Sequence, residues 1–151
     1  MASFVANGYI RFDAIVPADI NERAIDELRQ LGAHADDPKV ADAFMQVKLA
    51  NKERLAAYIQ RSTGIAVDPA SLFDVQVKRI HEYKRQLLNL IQVVARWQAI
   101  LSNPGAAWVP RTVIFAGKAA SSYHMAKQII RLVHDVGSVI NKDPVMAGRL
   151  K

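Results

Sequence analysis

The feature that most restricts what this chain can fold into is a change of hydrophobic period at Leu72. From Leu72 to Lys78, Phe73, Val75 and Val77 alternate with Asp74, Gln76 and Lys78. A period of two predicts a strand. From Tyr83 to Leu101 the pattern turns helical, and Leu87, Leu88, Ile91, Val94, Trp97 and Ile100 leave almost no polar face. That predicts a largely buried helix, broken by Asn103, Pro104 and Gly105. The apolar run Thr112–Ala116, bounded by Pro110 and Gly117, predicts a short buried strand. Ser122 to about Val136 predicts a third long helix with Met125, Ile129, Leu132 and Val136 on one stripe, ended by Gly137 and followed by a turn at Asn141–Pro144. Strand, helix, strand, helix is the opening of a doubly wound α/β domain. A sheet stopping after two strands leaves a bare edge and an uncovered apolar face, so the same order predicts a truncated, Rossmann-like β-α-β-α unit.

Helices are predicted ahead of this unit. Ile20–Leu31 is one, with Asp19 as cap, Glu22 as its capping-box partner and Gly32 as its end. A second starts with Asp37 as N-cap and Pro38 in the first helical position, and runs to about Arg61. Its apolar face carries Val40, Phe44, Val47, Leu55 and Tyr58. Residues 1–18 show no clear period.

Composition removes several function classes. With 51% hydrophobic and 23% charged residues over 151 positions, the chain has the balance of a globular domain. The lack of cysteine excludes disulfides and cysteine-held metals, and no metal site is predicted. Asn7, Gly8 and Arg11 interrupt the start, which therefore does not read as a secretory signal. No apolar run approaches the roughly 18–20 residues of a membrane span. A cytoplasmic location and no membrane partner are expected. The net charge of +6 points to an anionic partner without choosing among nucleic acid, membrane surface and phosphorylated small molecule.

The location of the charge is more informative. Lys78-Arg79-Ile80-His81-Glu82-Tyr83-Lys84-Arg85 sets four Lys or Arg and one His in eight residues, where a strand ends and a helix begins. Ligands of open α/β sheets bind outside the carboxyl ends of the strands. A helix start also offers free N–H groups and a positive dipole end to an anion. Cations there oppose the dipole, which suggests that they meet an anion. A solvated basic loop, nucleic-acid contact and a phosphate site all remain open from spacing alone, although Tyr83 by itself makes no stacking platform for RNA. Gly117-Lys118 lacks the glycine pattern and the following Ser or Thr of a Walker loop.

At this cluster the sequence resembles the α-glucan (glycogen, starch or maltodextrin) phosphorylase signature. The resemblance is carried by Ser71 to Asn89, by Val109 to Ala120 followed by Tyr123-His124-Met125-Ala126-Lys127, and by Asn51-Lys52 and Asp143-Pro144, in the same order. It extends from about Asp26 to Lys151 and leaves residues 1–25 unmatched, with 26–71 a helical connection and 72–151 the first part of a C-terminal domain. The resemblance implies the two-domain GT-B glycosyltransferase fold, a cytoplasmic homodimer, and allosteric control in some members. It implies transfer of the terminal glucosyl unit of an α-1,4-glucan to inorganic phosphate, giving glucose 1-phosphate. It also implies pyridoxal 5′-phosphate as cofactor, and no nucleic-acid partner.

The same resemblance implies residue roles. Lys78 holds the cofactor phosphate, while Arg79 and Lys84 hold the substrate phosphate. Two phosphate dianions about 5 Å apart repel by roughly 13 kcal/mol at an effective dielectric of ~20, and fixed cations must offset this. Arginine suits a bidentate grip and lysine a point charge between anions. Histidines change charge near neutral pH, but the family gives the acid role to the cofactor phosphate, which leaves His81 a structural residue. Tyr123 resembles an aromatic residue at an inhibitor site of some members; the competing reading is a packing residue at a helix start. Ser121-Ser122 replaces the usual Pro-Gly before it, which predicts a looser loop and a displaced Tyr123. The resemblance places the cofactor-linking lysine, the glycine-rich phosphate loop and the glucan-binding domain outside these residues, so the chain alone is expected to be inactive. The alternative is a non-catalytic basic anion-binding module or a subunit-pairing remnant.

Overall fold

A computed structural model describes residues 3–5, 9–11, 23, 26–27 and 29–151. The chain divides into two compact units, Met1–Val47 and Lys48–Lys151. In the first, β1 (Ser3–Val5) and β2 (Tyr9–Arg11) pair antiparallel, with Phe4 opposite Ile10. Strands of three residues are too short to display a period, which is why residues 1–18 showed none. Of the helix expected over Ile20–Leu31, the capping pair Asp19 and Glu22 lies outside the described residues. Arg23, Asp26 and Glu27 are helical. Arg29–His34 is a 3-10 helix that contains Gly32 instead of ending before it.

Helix α1 (Pro38–Thr63) starts as predicted: the Lys39 N–H donates to the Asp37 carboxylate at 2.9 Å, and Pro38 takes the first turn. Its apolar face is not covered as expected. In the second unit Ala56 is its buried residue, while Leu55 and Tyr58 stay exposed.

β3 (Leu72–Val77) and β4 (Arg111–Ala116) pair in parallel, with Asp74 beside Val113 and Gln76 beside Phe115. Between them runs α2 (Gln86–Ser102), and α3 (His124–Lys142) follows β4. The observed α/β order thus agrees with a partial Rossmann-like unit. β4 has a second neighbour that the sequence did not reveal. Leu150 bridges Arg111 in parallel, the Arg111 N–H donates to the Arg149 carbonyl at 3.0 Å, and the Val113 N–H donates to that of Lys151 at 2.8 Å. The sheet itself has the two expected parallel strands, β3 and β4, and Leu150 adds an isolated bridge beside β4.

One face of the sheet carries the core. Val113 and Phe115 pack on Val93 and Ile100 of α2, Ile140 of α3, and Met146 in the 3-10 turn Pro144–Met146. Ile100 is fully buried, and burying such a side chain contributes about 1.5–3 kcal/mol. Residues paired in register point to the same side. Asp74 and Gln76 therefore share this covered face, while Val75 and Val77 turn to the other side, where Val77 is 61% exposed. The apolar half of the β3 alternation is thus the more open half.

Two helix expectations need correction. α2 is not buried all round, because only one of its faces meets the sheet and α3; Leu88 and Ile91 remain exposed. α3 does not stop at Gly137. The apolar stripe continues through Val139 and Ile140, and the helix runs to Lys142, so Asn141 is helical instead of part of a turn.

Candidate functional site

The candidate site is the loop between β3 and α2, at the carboxyl end of the parallel strands. Here the helix start was misplaced by the sequence. Glu82–Lys84 is a separate 3-10 turn, and Arg85 stands in the left-handed region at φ 59° before α2 opens at Gln86. A non-glycine residue there carries a local backbone cost. Lys84 and Arg85 consequently precede the helix and do not occupy its first turn. The dipole penalty expected for them is reduced accordingly.

Backbone contacts fix the start of the loop. The Lys78 N–H donates to the Ala116 carbonyl at 3.0 Å, and the Ile80 N–H donates to that of Lys118, also at 3.0 Å. The two strand-end loops therefore run side by side. Gly117 makes this possible: a Cβ built on it would lie 2.0 Å from the Lys78 carbonyl oxygen, far inside contact distance. Weak as a phosphate-loop motif, Gly117-Lys118 has a clear structural reason for its glycine. Ile80 turns inward, buried with Ala126 and Ile129 of α3. Its neighbours Arg79 and His81 are exposed.

Polar side chains fix the remainder of the loop. Gln86 is fully buried; its amide nitrogen donates to the Arg79 carbonyl at 3.1 Å, and its oxygen accepts from the His81 N–H at 3.4 Å. The Gln76 amide donates to the Lys84 carbonyl at 3.0 Å and accepts from the Asn89 amide at 2.9 Å. Gln76, Gln86 and Asn89 were not singled out from the sequence. For Gln86 and Asn89 the available signal was a polar amide beside the apolar stripe of α2, where Leu90 and Val93 are buried.

Tyr123 sits against this loop. Its hydroxyl donates to the Glu82 carboxylate at 2.6 Å and accepts from the Glu82 N–H at 3.3 Å. The bond to Glu82 holds the Tyr123 phenol above its ordinary pKa, with burial and the carboxylate charge adding to the effect. The His81 ring lies between those of Tyr83 and Tyr123, with centroids at 4.4 and 4.9 Å. The three rings thus pack together beside the loop. Across Ser121-Ser122 a turn bond runs from the Tyr123 N–H to the Ala120 carbonyl at 3.1 Å.

The structure thus gathers the expected residues unevenly. Lys78, Arg79 and Lys84 share one short pinned loop, and Tyr123 reaches it from the start of α3. Among the described residues, none of the three cations forms an ion pair; the Lys84 ammonium lies 5.4 Å from the centre of the Tyr83 ring. Cations fixed at the backbone but without carboxylate partners suit a site for an external anion. Among the same residues, no cluster of three or more His, Asp or Glu could hold a metal ion, and no helix is long and apolar enough to cross a membrane.

Comparison with known proteins identifies the family. The family model for carbohydrate phosphorylases matches residues 13–151. Glycogen phosphorylase of Pasteurella multocida is 51% identical over 129 residues, covering 85% of this chain and 16% of that protein. Glycogen phosphorylase of Haemophilus influenzae is 48% identical over 127 residues, and the muscle form of Oryctolagus cuniculus 49% over 127 residues, each covering 84% of this chain. The chain spans about one sixth of the length of these relatives (15–16%).

Proposed function

Because the chain belongs to the carbohydrate phosphorylase family, we propose that its basic loop is the phosphate-holding part of an α-glucan phosphorylase. The reaction of the whole enzyme is transfer of a terminal glucosyl unit from an α-1,4-glucan to inorganic phosphate, releasing glucose 1-phosphate. In this reading Arg79 and Lys84 hold the substrate phosphate. The single observation that carries it is the loop Lys78–Lys84, pinned through its backbone while its cations form no ion pair among the described residues.

The donor set also fits a second phosphate group. Lys78 directly precedes Arg79 and follows the last residue of β3, so two neighbouring residues can each serve one of two adjacent phosphates. Lys78 would hold the phosphate of pyridoxal 5′-phosphate. When bound, that cofactor supplies a phosphate group for proton transfer beside the substrate phosphate. The work of this chain's own residues is electrostatic. Arg79 offers a planar fork of donors, Lys84 a compact charge, and together they offset the repulsion between neighbouring anions. His81 packs between two tyrosine rings and has no proton-carrying role in this scheme. Tyr123 belongs to the wall beside the loop, where the resemblance places an inhibitor site. A GT-B fold, a cytoplasmic homodimer and an α-1,4-glucan partner are the setting proposed for the whole enzyme.

The test is phosphate binding by the 151-residue chain, followed by NMR of its backbone amides. Phosphate should shift the amides of Lys78 to Arg85, and Arg79→Ala should raise the dissociation constant about tenfold or more, the value of a charge-assisted hydrogen bond. Unchanged binding by Arg79→Ala would overturn the assignment. The chain alone is expected to release no glucose 1-phosphate from maltodextrin and phosphate. Turnover by the purified chain would refute that.

A further inference from the structure

We propose that Gln86 is a positioning residue for this phosphate-holding loop, with Gln76 and Asn89 as its counterpart at the loop's far end. The inference rests on the phosphate reading above and adds residues to which that reading gives no role. Gln86 is the first residue of α2 and is completely buried, an unusual place for a side chain that must satisfy both a donor and an acceptor. Both are used on the loop, at the Arg79 carbonyl and the His81 N–H. One amide orientation satisfies both contacts, since only the nitrogen can donate to a carbonyl and only the oxygen can accept from an N–H.

The two peptide groups flank Ile80, whose side chain is locked beneath the loop by Ala126 and Ile129. With Ile80 fixed inward and the backbone held on either side, the direction in which Arg79 leaves the loop is set from beneath. At the other end, the Lys84 N–H donates to the His81 carbonyl at 3.0 Å, and its carbonyl accepts from Gln76, which is held in turn by Asn89. Both cations assigned to the substrate phosphate therefore have carbonyls gripped by buried or half-buried amides, while their charged heads form no ion pair among the described residues. A fixed direction matters because electrostatic stabilisation depends on donors already aimed before the anion arrives.

The experiment titrates the 151-residue chain with inorganic phosphate and reads backbone amide shifts beside thermal melting. Gln86→Met keeps the length and removes both polar contacts. It should raise the dissociation constant for phosphate about tenfold. Ser71→Ala is the stability control, because it breaks the 2.7 Å buried bond between the Ser71 and Thr112 hydroxyls at the opposite end of the strands. It should lower the melting temperature and leave phosphate affinity unchanged. Asn89→Leu loosens Gln76 without touching Gln86, and should weaken phosphate binding about threefold; it also serves if Gln86→Met does not fold. Wild-type affinity in folded Gln86→Met and Asn89→Leu, with Arg79→Ala impaired, overturns the positioning role alone. Equal weakening by Ser71→Ala also overturns it, by reducing the effect to stability. Wild-type affinity in Arg79→Ala removes the phosphate reading and this inference with it.

Discussion

The two ends of the parallel strands treat their cations in opposite ways. At the amino end four cations have partners: Arg111 pairs with Asp74 at 3.3 Å, and the Lys52 ammonium donates to the Ser71 carbonyl at 2.6 Å and lies over the Phe73 ring. Arg96 donates to the Val109 carbonyl and stacks near Trp108, and Arg149 is tied to the carbonyls of Val145 and Pro104. Burial and the neighbouring Arg111 charge lower the Arg96 pKa, the expected sign for two guanidinium groups packed close together. At the carboxyl end the pattern inverts. The backbone of residues 78–84 is held at point after point, but Lys78, Arg79 and Lys84 enter no ion pair among the described residues. At the amino end the bonded heads of Arg111, Lys52, Arg96 and Arg149 tie the fold together. In the loop proposed to hold phosphate, the backbone is held by Gln76 and Gln86 while the charged heads of Lys78, Arg79 and Lys84 enter no ion pair among the described residues.

The largest expected effect breaks the structural end. Ile100→Ala opens a cavity in the cluster of Val93, Ile140, Met146 and Leu150, and should cost about 3–4 kcal/mol of stability, read by chemical denaturation. If the two ends are distinct in function, the molecules still folded should bind phosphate as before. A smaller stability loss with abolished phosphate shifts would show that the core itself sets the site.

Gly117→Ala comes next and strikes the other end. The added methyl meets the Lys78 carbonyl, which belongs to backbone and cannot swing aside, so the two loops must separate. A loss of about 2–3 kcal/mol is expected, with amide shifts concentrated at residues 78–80 and 116–118. Near-neutral stability with an undisturbed Lys78 amide would remove the close approach as the reason for this glycine.

These two positions also show how far the sequence could be read. The order of the α/β elements was legible because β3 and β4 carry a clear period or a bounded apolar run, and Pro38 and Asp37 mark the start of α1 chemically. The helix ends were harder. Gly137 looks like a stop, but the stripe continuing to Ile140 outweighs its modest helix cost of about 1 kcal/mol. The basic cluster identified the loop, and Tyr83 to Arg85 looked continuous with the helix because nothing local announces a left-handed Arg85. Tertiary contacts hold that conformation in place: Gln76 on the Lys84 carbonyl and Gln86 beneath Arg79. A polarity pattern counts Gln76, Gln86 and Asn89 as exposed residues, although Gln86 is buried and the other two are half-buried. The isolated bridge at Leu150 was hidden for a related reason, since a single bridged residue carries no period at all.

The smallest expected effect tests the edge of the loop through Tyr123. Its phenol is neutral when protonated, and the bond to Glu82 favours that form, so its folded pKa lies above the unfolded value of about 10. A raised pKa contributes stability that is fully present below the unfolded value and is lost as pH rises through the folded one. Ionisation of the phenol in alkali therefore removes the donor of the Tyr123–Glu82 bond. Carbon-13 labelling of the tyrosine rings should show Tyr123 ionising at a higher pH in the wild type than in Glu82→Gln, which lacks the carboxylate. Because the hydroxyl is exposed, the change in overall stability should be slight. The same ionisation midpoint in both proteins would mean that solvent already satisfies the phenol, and that Tyr123 is held against the loop by its packing on His81 and the Ile80 cluster.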